Sequence, residues 1–300
     1  MSLLKIPAKF HLKASSYLKA VKQYVWEAYL SDLADGDRTT EYFVSKPKQV
    51  IRAEVIANDR GIFAGLMEAK WLLGKVDVKI LRHKSERVVF KPGEVLLTLR
   101  GRADRILGVE RTLLNLLQRM SGVATAAHRL ASKLPRRIKL LATRKTFWGL
   151  LDKRAATVGG ALSHRFNLSD AVMVKDNHLL LEPYFEKPWK RVMKKAKKVR
   201  FVEMELDNFD DIKTFVTAYH KCQGCFSPAG QVVVLLDNLT PTQVRHAIKL
   251  LKPTHAMIEV SGGINEHNIR RYALPGVHAI SSGSITNKAP ALDLFLRIAQ

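Results

Sequence analysis

A chain of 300 residues with 47% hydrophobic content holds enough apolar material for a large core, and its length suits two domains, one of which could be an α/β barrel. No apolar run approaches the roughly 18 residues a membrane span needs. The N-terminus has no signal-peptide core either, so a cytoplasmic protein is expected. The net charge of +23 is the compositional anomaly, and it admits nucleic acid, anionic lipid or strongly anionic small molecules as partners.

The lysines near the N-terminus carry no arginine with them before Arg38. Leu18, Val21, Val25 and Tyr29 recur at helical spacing, which favours a packed helix over a targeting segment. Between residues 50 and 100 the texture is β. RAEVIA (52–57), VDVKIL (76–81), RVVF (87–90) and VLLTL (95–99) are separated by turn chemistry at 58–61 and 91–93. A long helical pattern over 104–133 places Leu113, Leu114, Leu117 and Met120 on its apolar side.

Strands and helices then alternate. Strands are expected at 138–142, 171–174, 201–206, 232–236, 256–260 and 278–281, with helices at 209–219, 241–252 and 265–273. The basic run KPWKRVMKKAKKVR (187–200) contains eight cations and no acid. Its Trp189, Val192, Met193, Ala196 and Val199 fall at helical spacing, so it reads as a packed helix with a solvated lysine face. Cys222 and Cys225 form one isolated pair, best read as reduced thiols in a loop.

Polar residues decide the architecture. The expected strands end in TRKT (143–146), KDNH (175–178), Asp237-Asn238, SGG (261–263) and Ser282-Gly283, and one carries Glu203 and Glu205 near its end. Charge at the C-terminal ends of successive parallel strands belongs to the mouth of a (β/α) barrel, whereas an open doubly wound sheet gathers such residues at one switch point. An α/β domain precedes this barrel.

Arg144, Lys145, His164, Arg165 and Lys175 would crowd that mouth with positive charge, which an anion must relieve. Glycine turns after the last strands suit a phosphate held on backbone N–H groups. Glu205 and Asp237 suit sugar hydroxyls or Mg²⁺ bound with a substrate phosphate. The pattern therefore asks for a phosphorylated sugar and an acidic partner.

Taken in order, DLADGDRTTE (32–41), AGL (64–66), ERTLLNLLQRMSGVAT (110–125), TRKT, GGALSHR, KDNH, VEMELDN, LLDN, VSGGI and APALD resemble the quinolinate phosphoribosyltransferase family over nearly the whole chain. The resemblance implies an N-terminal α/β open-faced sandwich and an irregular (β/α) barrel; the expected bounds are 1–114 for the first, joined by a C-terminal helix at 288–300, and 115–287 for the second. It implies a homodimer whose neighbouring N-terminal region closes each site. The reaction would join quinolinate to phosphoribosyl pyrophosphate, with Mg²⁺, giving nicotinate mononucleotide, pyrophosphate and CO₂ in NAD biosynthesis.

By motif, Arg144, Lys145, His164, Arg165 and Lys175 would hold the carboxylates and phosphates, and Arg111 would reach in from the partner. Ser261, Gly262, Gly263 and Gly283 would cradle the 5′-phosphate. Glu205 and Asp237 would hold the ribose or the metal, so that Lys145, Lys175, Glu205 and Asp237 form the catalytic set. Two departures stand out. FWGLLDKRA replaces the family's Thr-Pro-Gly turn after TRKT in a loop expected to border the pocket, and Asn287 stands where the family often has histidine. Two rival functions fit less well: a same-fold nicotinate enzyme without decarboxylation, and a non-catalytic nucleic-acid binder suggested by charge alone.

Overall fold

The computed structural model describes residues 10, 12–182, 186–221 and 232–299. Cys222 and Cys225 and the side chains of Lys187 and Lys197 lie outside the described residues. Among the described residues thirteen strands are formed: β1 (Val50–Ala57), β2 (Gly61–Ile62), β3 (Lys79–His83), β4 (Val89–Phe90), β5 (Val95–Arg102), β6 (Lys139–Ala142), β7 (Leu162–Ser163), β8 (Val172–Val174), β9 (Val202–Leu206), β10 (Val232–Asp237), β11 (Met257–Ser261), β12 (Ala279–Ser282) and β13 (Leu294–Ala299). No helix among the described residues is long and apolar enough to cross a membrane.

The chain divides into two compact units, the first made of residues 129–145 and 161–284, the second of 12–128, 146–160 and 285–299. In the first unit seven parallel strands run in the order β7-β6-β12-β11-β10-β9-β8. The consecutive strands β7 and β8 are the two edges, so this irregular (β/α) barrel is open along one seam. Its strands are apolar runs buried on both faces, as helix-covered parallel sheets require: Val232 to Leu236 and Val202 to Met204 are all buried. Helices Phe209–Lys221 and Pro241–Leu251 occupy the expected positions. The second begins on a Thr240–Gln243 capping box followed by proline.

The helix expected at 265–273 is instead a short 3₁₀ turn, Ile269–Tyr272. Asparagine side chains compete for the backbone there: Asn268 Oδ1 accepts from the Asn265 N–H at 2.9 Å, and both Nδ2 groups donate to the Gly263 carbonyl. The lysine-rich segment is helical over Glu186–Lys195 and continues as a 3₁₀ turn to Lys198. Trp189 and Ala196 are buried while Lys190, Lys194 and Lys198 face solvent.

The second unit carries the antiparallel sheet β13-β1-β5-β3, with Ala53, Val55, Leu97 and Leu99 on its buried face. A 29-residue helix, Ala103–Ala131, extends through the expected 114/115 boundary without interruption. It buries Leu113, Leu114, Leu117 and Met120. Near its end a Cβ on Gly159 would sit 2.1 Å from the Ala124 carbonyl oxygen, so only glycine permits the close approach of Leu150–Val158. The expected C-terminal helix at 288–300 is a strand. β13 pairs with β1 from Arg52–Ala299 to Ala57–Leu294. Leu292, Leu294, Leu296 and Ile298 recur every second residue, which is strand and not helix periodicity.

Candidate active site

Parallel register builds the barrel mouth in steps. At the rim, Asp237 lies level with Ser261; one step down, Leu235 lies level with Glu205 and Glu259; deeper still, Val233 lies level with Glu203. Period-two alternation sends these residues to one face. The result is a cavity of about 260 Å³ lined by Thr143, Arg144 and Lys145 after β6, His164 and Arg165 after β7, and Met173 and Lys175 at β8, with Glu205, Leu235, Asp237, Glu259, Ser261 and Ser281. Eight of the expected site residues thus share one cavity: Arg144, Lys145, His164, Arg165, Lys175, Glu205, Asp237 and Ser261.

The rim carboxylates are already engaged. Asp237 accepts from Ser261 Oγ at 2.7 Å and from Asn238 Nδ2 at 2.8 Å, and Lys175 donates to Glu205. Arg165 is buried close to Arg144. Burial first, and the neighbouring guanidinium second, push its pKa down, while Glu203 and Glu205 act in the opposite sense. Gly262 and Gly263 follow β11 with φ of 95° and 60°, in the left-handed region that glycine tolerates. A Cβ at Gly262 would meet the Asn238 N at 2.4 Å. Gly283 follows β12, and a Cβ there would lie 3.2 Å from Lys145 Cδ. These three glycines flank the cavity lining and are not part of it.

Arg111 belongs to the second unit. It is exposed on the long helix and lines a different cavity of about 400 Å³ with Tyr24, Asp32, Asn115 and Trp148. The FWG loop expected to border the mouth falls in this second unit too. Asp152, fully buried, accepts from the Phe147 and Trp148 N–H groups at 2.9 and 3.1 Å. It also takes a bidentate pair from Arg119 at 2.9 and 2.8 Å.

Two acids escaped assignment from sequence. Glu203 is buried beneath the mouth and Glu259 is a buried part of its lining, and His164 Nε2 lies 2.8 Å from Glu203 Oε2 and 3.6 Å from Glu259 Oε2. Burial is the main reason both carboxyls are pushed up to about 8, and their mutual proximity adds to it at Glu259. Spacing offered a signal: Glu203 is two residues from Glu205, and Glu259 two from Ser261, so each shares its partner's face.

Models of the quinolinate phosphoribosyl transferase N-terminal and C-terminal domains match residues 37–121 and 123–297. A probable nicotinate-nucleotide pyrophosphorylase (carboxylating) of Methanothermobacter thermautotrophicus is 36% identical over 281 residues, covering 91% of this chain and 96% of that one. The corresponding Bacillus subtilis protein is 32% identical, with 93% of each chain covered. The solved nicotinate-nucleotide pyrophosphorylase of Francisella tularensis superposes with a TM-score of 0.81 at 29% identity, covering 94% of this chain and 96% of that one. That of Ehrlichia chaffeensis gives 0.82 at 27%, covering 92% and 98%.

Proposed function

The chain belongs to the quinolinate phosphoribosyl transferase family, and from that premise we propose that it is a carboxylating nicotinate-nucleotide pyrophosphorylase of NAD biosynthesis, with the barrel mouth as its active site. Quinolinate and phosphoribosyl pyrophosphate become nicotinate mononucleotide, pyrophosphate and CO₂. The observation that carries the assignment of the site is the meeting of Arg144, Lys145, His164, Arg165 and Lys175 with Glu205 and Asp237 in one cavity. Two carboxylates and a pyrophosphate need that many cations, and a ribose needs the acids.

In the first step the quinolinate ring nitrogen forms a bond to the ribose C1′ as the bond from C1′ to pyrophosphate oxygen breaks. Positive charge develops on the ribose, and Glu205 and Asp237 stabilise it. Lys145, Lys175 and the arginines receive the charge of the departing pyrophosphate. The ring nitrogen is now quaternary, so the electron pair left by the departing CO₂ is stabilised next to it and the ring carbon takes up a proton. No strong general base is required. Mg²⁺ would be held by Glu205 and Asp237, whose oxygen donors fit a hard cation, and when bound it would offset pyrophosphate charge. Ser261, Gly262, Gly263 and Gly283 supply the phosphate cradle, and a homodimer places Arg111 at the neighbour's mouth.

The test is incubation with quinolinate, phosphoribosyl pyrophosphate and Mg²⁺, followed by mass analysis. Nicotinate mononucleotide and CO₂ are expected. Product from nicotinate but none from quinolinate would move the assignment to a non-decarboxylating relative.

A further inference from the structure

The barrel seam poses a mechanical problem. β7 and β8 are unpaired edges of the sheet among the described residues, yet His164 and Arg165 follow one and Lys175 follows the other, all facing one cavity. Carbonyls at an unpaired strand end need donors from elsewhere. Ser163 Oγ donates to the His164 carbonyl at 3.0 Å, and one longer side chain reaches across the seam. Arg200, just before β9, donates to the His164 carbonyl at 2.9 Å, to the Ser163 carbonyl at 3.4 Å and to Asp170 Oδ2 at 2.7 Å. Its own N–H donates to the Asp170 carbonyl at 2.9 Å, and Asp170 Oδ2 accepts from the Phe166 N–H at 2.8 Å. The guanidinium also lies against the Phe166 and Phe201 rings, 5.2 and 5.1 Å from their centroids. With side chains only 13% and 11% exposed, Arg200 and Asp170 form no ordinary surface pair.

We propose that Arg200 is a positioning residue for the reaction: its guanidinium replaces the missing ladder across the β7–β8 seam and sets His164 and Arg165 against the substrate carboxylates. This rests on the reading that those two residues hold quinolinate. Arg200 itself is absent from the lining of the mouth. It acts on the backbone that carries His164 and Arg165. A planar fork holds two carbonyls and a carboxylate in one fixed geometry, which a lysine ammonium on its flexible stem does not. A tilt of the 163–165 backbone would displace both ligating side chains together, and a misplacement of about 1 Å can cost roughly a hundredfold.

The experiment compares wild type, Arg200→Ala and Arg200→Lys by separate KM values for quinolinate and phosphoribosyl pyrophosphate, with melting temperature alongside. Arg200→Ala should raise the quinolinate KM roughly ten- to a hundredfold while the KM for phosphoribosyl pyrophosphate changes far less. Added guanidinium ion at low millimolar concentration should restore part of the loss. Arg200→Lys should show the same split, and it carries the test if the alanine variant does not fold. An equal rise in both KM values, or a fall in active fraction with both KM values unchanged, reduces Arg200 to a structural residue and overturns the proposal. Wild-type protein that does not turn over quinolinate would overturn the functional assignment, and the positioning role with it.

Discussion

His164 Nε2 lies 2.8 Å from Glu203 Oε2, and Glu259 Oε2 lies 3.6 Å from the same nitrogen, so one imidazole from the end of β7 meets two buried acids on β9 and β11. Both carboxyls are pushed up to about 8 by burial. An acid whose folded pKa exceeds its unfolded value binds more protons in the native state, and stability then falls as pH rises between the two values. The window runs from about 4.5, the unfolded value, to about 8. Glu203→Gln removes one titrating member, so its stability relative to wild type should improve as pH is raised from about 5 to about 8. Urea denaturation across that range checks this; parallel wild-type and variant curves would show that Glu203 is ionised throughout.

Arg144 and Arg165 should each matter to substrate affinity more than an exposed ion pair could. Replacing either with alanine removes a charge-assisted bond worth roughly 1.5–3 kcal/mol, a weakening of about ten- to a hundredfold. Calorimetric titration of quinolinate into each variant measures it. Unchanged affinity in both would take these residues out of the site.

Much of this site was legible in the sequence because polar residues that end an apolar strand mark the barrel rim, as Lys175, Asp237 and Ser261 do. What lay one layer down was not. Glu203 and Glu259 sit inside their strands and not at the polar ends, and the alternation that places them beneath Glu205 and Ser261 becomes decisive only once register is fixed. β7 is two residues long, too short for any periodicity, so the seam was hidden. Arg200 closes a run of lysines and looks like another solvated cation until its carbonyl partners are seen. The C-terminal segment went astray differently: its alternating leucines spell a strand, and the helix expected at 288–300 overlooked that period.

The FWG loop depends on Asp152. This fully buried carboxylate serves two backbone N–H groups and a bidentate Arg119, which also donates to the Thr286 and Ala289 carbonyls at 2.7 and 3.2 Å and lies 5.3 Å from the Phe147 ring centroid. Asp152→Ala leaves a guanidinium without its counter-charge, a loss of about 3–5 kcal/mol. Equilibrium unfolding should detect it directly, and a loss within about 0.5 kcal/mol, as for ordinary surface positions, would contradict this account.

The lysine face of the segment ending at Lys198 should be chemically idle. Lys194 and Lys198 are exposed while Trp189 and Ala196 anchor the opposite side. Reversing both charges to glutamate should leave kcat and both KM values nearly unchanged. Any binding of an oligonucleotide should be weak and fall steeply with salt, because counterion release drives it. Tight, sequence-selective binding at physiological salt would promote nucleic acid from bystander to partner.

Activity should depend on assembly. Arg111 is exposed on the long helix and lines a cavity of the second unit, beside Asp32 and Trp148, and no residue of that cavity lines the mouth. A dicarboxylate together with phosphoribosyl pyrophosphate brings more negative charge than one chain's mouth must serve alone. A guanidinium supplied in trans would complete the clamp and make activity depend on association. Subunit mixing decides it. Arg111→Ala and Lys145→Ala proteins should each be nearly inactive. After exchange, each mixed dimer would hold one site with both native residues and one with neither, so about half of its sites should recover. Verified heterodimers that regain nothing would mean that Arg111 serves its own chain or no site at all, and a homodimer with shared sites would have to be abandoned.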